Sequence, residues 1–87
     1  MYIFVKDKLR NLMAQHHHTD GTMAREFKLR HMDISFRTIS RWRSDKTLNH
    51  PSSSQMRVLL DIAKGLDKSI KFEDFFKKKW EESDKIG

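Results

Sequence analysis

Apolar side chains recur along this chain at three- and four-residue steps in separate stripes, and that spacing confines the fold to packed helices. Val5, Leu9, Leu12 and Met13 stand at i, i+4, i+7 and i+8, and Met56, Leu59, Leu60 and Ala63 form a second stripe with Ile62 beside it. Each set lines one side of a 3.6-residue helix. Strand signals are almost absent. With 87 residues there is room for one domain of four or five helices around a small core, and none for a second, ligand-sensing domain. The expected class is all-α, a compact bundle of four to five helices over residues 1–80, with residues 81–87 as a short flexible tail.

The punctuation between stripes places the elements. A first helix is expected from about residue 3 to 15, ending at His16-His17-His18. Thr19 or Asp20 can cap a second, which begins near Thr22 and runs through Met23, Ala24 and Phe27 toward Leu29 and Met32, with a turn around residues 31–34. Ser35 is an N-cap for a third helix that finishes by Ser44 or Asp45. A linker over residues 46–52 holds the only proline, Pro51. Serines 52–54 cap a fourth helix that stops near Gly65. A fifth is expected after Ser69, with Glu73 and Asp74 in its first turn and Lys77, Lys78 and Lys79 near its end, an order that suits the helix macrodipole. Phe72, Phe75 and Phe76 would face inward, with Trp80 a turn further on.

The third helix carries the chemistry. In Ile34-Ser35-Phe36-Arg37-Thr38-Ile39-Ser40-Arg41-Trp42-Arg43, Ile39 and Trp42 point one way, to the core. Phe36, Arg37, Ser40 and Arg41 point largely the other way and offer guanidinium and hydroxyl donors at the spacing needed to meet base edges in a groove. Composition agrees: 18 Lys+Arg against 12 Asp+Glu give a net charge of +6. Residues 1–50 carry ten Lys/Arg and five Asp/Glu, whereas residues 51–87 carry eight and seven. The basic half holds the candidate helix, and a polyanion is the expected partner.

These residues resemble the small helix-turn-helix domains of the Cro and cI phage repressors, the XRE family. Ile34-Ser35 followed by Thr38-Ile39-Ser40-Arg41-Trp42 is similar to that family's turn and recognition helix. Pro51, Leu59, Ile62-Ala63-Lys64 and Leu66 are similar to the helix after it, and Phe72, Phe75 and Phe76 to its closing segment. The resemblance implies a lambda-repressor-like fold. It places Phe36, Arg37 and Arg41, with help from Ser40, at the floor of the major groove, where each arginine can hold guanine O6 and N7 and Phe36 a thymine methyl. Burial of Phe36 against the second helix is the other reading. Thr22, Arg25, Thr38, Arg43, Lys46 and Thr47 are expected on phosphates, fixing register without reading sequence. Asp45 is unfavourable there unless it pairs with a cation such as Lys46.

Two alignments of the second helix stay open. Counting back from Ile34 puts Asp33 where the family has a turn glycine and Leu29 where it has a small alanine. Alternatively Ala24-Arg25-Glu26-Phe27 is the family pattern and residues 28–33 hold an insertion of about five residues, which is the preferred alignment. The family's glycine after the recognition helix is replaced by Ser44-Asp45-Lys46.

The implied function is a sequence-specific double-stranded DNA-binding transcriptional regulator, a Cro-like repressor that occludes a promoter as a homodimer, with control through its concentration or a regulatory protein partner. An antitoxin of the same fold and a protein-interaction module, with Phe36, Trp80 and the amphipathic N-terminus as its surface, are the alternatives. No nucleophile, base and orienting acid form a recognisable motif and no glycine-rich phosphate loop is present, so no enzyme activity is expected. No cofactor is expected. Adjacent histidines at 16–18 alternate in direction and do not converge on a metal; a polar loop that approaches DNA, or that makes binding pH-sensitive, is the preferred role. No cysteine and no apolar run of membrane-spanning length are present, and a cytoplasmic location is expected.

Overall fold

Capping chemistry sets where each helix begins. The computed structural model describes residues 2–78. Its elements are β1 (Tyr2–Phe4), α1 (Lys6–Gln15), α2 (Asp20–Leu29), α3 (Phe36–Arg43), α4 (Ser53–Leu66), a 3₁₀ turn (Phe72–Phe75) and β2 (Phe76–Lys78). Thr19 caps α2 and Ser52 caps α4 through reciprocal capping boxes with Thr22 and Gln55, and the Ser35 hydroxyl accepts from the Thr38 N–H at 3.3 Å. Each side-chain oxygen satisfies an amide that the first turn leaves unpaired.

The helical stripes bury as their spacing requires. Leu9, Leu12 and Met13 of α1, Met23 and Phe27 of α2, Ile39 and Trp42 of α3, and Met56, Leu59, Ile62 and Ala63 of α4 form one core with Ile34, Ile70 and Phe75. Phe27 meets Trp42 edge-on, centroids 5.8 Å apart, an arrangement aromatic quadrupoles favour. α2 lies against both α3 and α4, and α1 against α3.

The two ends of the described chain depart from the all-α expectation. Residues 2–4 are a strand, so α1 starts at Lys6 and not near residue 3. Among the described residues no fifth helix forms: a four-residue 3₁₀ turn leads into β2, which pairs antiparallel with β1 in the register Tyr2↔Lys78, Ile3↔Lys77 and Phe4↔Phe76. The described residues therefore form four helices and a small two-stranded sheet. The reason lies in the aromatics. In a helix Phe72, Phe75 and Phe76 would share one face. Here Phe75 is buried and stacks on Phe4 (6.1 Å), Phe76 meets Phe4 edge-on (5.7 Å), and the Val5 N–H donates to the Phe75 carbonyl at 2.7 Å. Pairing supplies the backbone hydrogen bonds a helix would have made. Phe72 is half exposed and covers Phe76 (4.9 Å) without entering the core. Trp80, Lys79 and the proposed limits at 80 and 81–87 lie outside the described residues.

The connection from α2 to α3 runs through Arg30, His31, Met32, Asp33, Ile34 and Ser35. Its left-handed residue is His31, at φ 64°, and not Asp33. Leu29 is 67 % exposed, whereas Ala24 packs against the core. Met23 and Phe27 supply the buried face of α2, with Ala24 beside them and Arg25 exposed. Among the described residues no helix is long and apolar enough to cross a membrane.

Candidate nucleic-acid interface

α3 has two unlike sides. Ile39 is fully buried and Trp42 is 2 % exposed, which seats the helix, while Phe36 is 55 % exposed and Arg37, Ser40 and Arg41 are exposed beside it. Phe36 lies outside the core cluster, and the Arg37 guanidinium sits 6.0 Å from its ring centroid, within cation–π range. Among the described residues neither Arg37 nor Arg41 forms an ion pair through its side chain. The surface therefore presents two unneutralised guanidinium groups, a hydroxyl and an aromatic ring on about two helical turns.

The six residues expected on phosphates divide into two groups. Arg25 and Lys46 are exposed, with side chains held by no ion pair. The other four already serve the fold. Thr22 Oγ1 accepts from the Thr19 N–H at 2.8 Å and lies 2.9 Å from His18 Nδ1. Thr38 Oγ1 sits 3.3 Å from the Ser35 hydroxyl, and Thr47 Oγ1 donates to the Arg41 carbonyl at 2.7 Å. Arg43 grips Asp20 with Nε and Nη2 at 2.6 and 2.7 Å, tying the end of α3 to the start of α2.

Asp45 pairs with Arg10 at 3.1 Å and not with Lys46. Arg10 also bonds Asp7, and the two carboxylates raise its already high pKa. Beside it Lys6 donates to the carbonyls of Arg41, Trp42 and Asn49. Burial pushes the Lys6 ammonium below its ordinary pKa, Asp45 opposes that shift and Arg10 adds to it. Spacing along α3 could not reveal Lys6, Arg10 or Asp20, since all three come from elsewhere in the chain. The available signal was Lys6 and Arg10 standing i, i+4 on α1, one cationic edge beside the apolar stripe.

The histidines stay in local roles: His16 ends α1, His17 adopts φ 57°, and His18 faces Thr22. Among the described residues no group of three or more His, Cys, Asp or Glu side chains converges to hold a metal ion. No protein-family model matches this sequence, and neither curated proteins nor solved structures provide a match.

Proposed function

We propose that this chain is a sequence-specific double-stranded DNA-binding transcriptional regulator in which α2 and α3 form a helix-turn-helix and α3 enters the major groove. One observation carries the reading: Arg37 and Arg41 stand exposed and unpaired on a helix whose opposite side is locked into the core by Ile39 and Trp42. Such groups suit guanine edges, with about 1–3 kcal/mol of discrimination for each bidentate contact. Ser40 and Phe36 complete the reading surface, Phe36 against a thymine methyl. Arg25 and Lys46 are the side-chain phosphate contacts. Thr22, Thr38 and Thr47 shape the backbone around them, and Arg43 braces α3.

In this proposal the protein represses by occlusion as a Cro-like dimer, because one module of this size reads too few base pairs and two half-sites a helical turn apart multiply specificity. Selection of bound sites from a random duplex library at near-physiological salt tests it, with Arg37→Ala and Arg41→Ala run in parallel. The expected outcome is an inverted repeat that relaxes at separate positions in each variant. No enrichment, or a motif unmoved by both changes, overturns it. The exposed Phe36 favours a protein-binding surface as the second reading. In that case added DNA leaves partner binding unchanged, and binding lacks the steep salt dependence of phosphate contacts.

A further inference from the structure

The last carbonyls of a helix have no intrahelical partner and must find one elsewhere. In α3 no glycine turns the chain back over them: Ser44 leaves in an extended conformation. The partners come from distant residues. Lys6 Nζ lies 3.0, 3.0 and 2.9 Å from the carbonyl oxygens of Arg41, Trp42 and Asn49, and Arg10 Nη1 donates to the Arg43 carbonyl at 2.6 Å. An ammonium has three donors, and here each has an acceptor. Arg41 is thus held by its carbonyl while its guanidinium stays exposed.

We infer that Lys6 is a positioning residue for the α3 surface: it sets the angle at which the helix presents Arg37 and Arg41, and it does so by staying out of contact with the ligand. This rests on the DNA-binding reading above. An eight-residue helix is roughly 12 Å long, so a tilt of about 10° at its C-terminal end moves the other end by about 2 Å. Bidentate contacts tolerate only about 0.5 Å. Lys6 grips the pivot, and because Asn49 accepts the same ammonium, the loop carrying Lys46 is fixed to that pivot.

Lys6→Met keeps the length of the stem and removes the donors. The experiment compares its affinity with that of the parent protein for a duplex carrying the selected site and for a scrambled duplex of the same composition, over a salt series. The expected result is a loss of about tenfold or more on the selected site, an unchanged affinity for the scrambled duplex and an unchanged salt slope. A slope shallower by about 0.9 means that Lys6 itself neutralises a phosphate, and this overturns the inference. Equal losses on both duplexes, or no loss, also overturn it, since a purely structural role does not separate them.

If Lys6→Met fails to fold by circular dichroism, Thr47→Val carries the same comparison, because it removes another donor to the Arg41 carbonyl. Residual dipolar couplings of the parent and variant report the orientation of α3 relative to α4 without any DNA. A parent protein that selects no site refutes the DNA reading alone; the couplings then decide positioning, and an unchanged α3 orientation refutes it.

Discussion

Arg41 and Trp42 are neighbours in sequence and opposites in environment, and their substitutions should separate stability from binding. Trp42→Ala empties a site sealed by Phe27 and is expected to cost about 3–5 kcal/mol, a large part of the stability of a domain this size. Arg37→Ala and Arg41→Ala, on the exposed side, are expected to stay within about 0.5 kcal/mol of the parent. Urea unfolding followed by circular dichroism distinguishes the two classes. Asp67 gives a pH-dependent counterpart. The Ser69 hydroxyl and N–H donate to its carboxylate at 2.7 and 3.0 Å and hold its pKa below the ordinary 3.8. A depressed carboxylate stabilises the fold above its unfolded pKa and loses that contribution as pH falls through the folded value. Stability should fall over acid pH, and Asp67→Ala should flatten that limb in urea midpoints measured from about pH 5 to pH 2. The divided character of α3 was legible from helical spacing alone. The left-handed backbone at His31 was not, because a non-glycine residue at positive φ is uncommon and the connection over residues 28–33 carries no glycine to mark the turn.

Between elements, a bidentate pair joins Arg43 of α3 to Asp20 of α2, both partners part-buried. Asp20→Asn is expected to destabilise by about 1–3 kcal/mol, as for hydrogen bonds to charged groups. The double variant with Arg43→Met should cost less than the sum of the single changes, and a double-mutant cycle from chemical denaturation measures the difference. Arg43 was expected on phosphate from its charge and its place at the end of α3, whereas its side chain here is held by Asp20. No local signal shows that partner, which lies 23 residues earlier. Local signals were enough for α3 and α4, whose caps at Ser35 and Ser52 stand where the serines predict. They were not enough for the ends. Ile3 and Phe4 read as the first residues of α1 and Phe72-Glu73-Asp74-Phe75 as the start of a fifth helix, since a strand three residues long has no pattern of its own until its partner is known.

At the scale of the whole molecule, formal charge overstates what the surface offers. Of the ten Lys and Arg in residues 1–50, Lys6, Arg10, Arg30 and Arg43 are engaged by carbonyls or carboxylates of the fold. The basic first half thus commits part of its donors to its own architecture: carboxylates neutralise Arg10, Arg30 and Arg43, while Arg25, Arg37, Arg41 and Lys46 are exposed without an ion pair. Mutual arrangement, more than composition, decides which cations remain available. The β1–β2 ribbon has a consequence in time. Its paired residues stand more than seventy positions apart, whereas the contacts among α1, α2 and α3 close much shorter loops. Chain entropy therefore favours a helical nucleus, with the ribbon joining after the folding barrier. Substituting Ile3 should speed unfolding and leave the folding rate nearly unchanged in stopped-flow chevrons. The ends of the described chain meet last and part first, and slow hydrogen exchange should be confined to the helices they enclose.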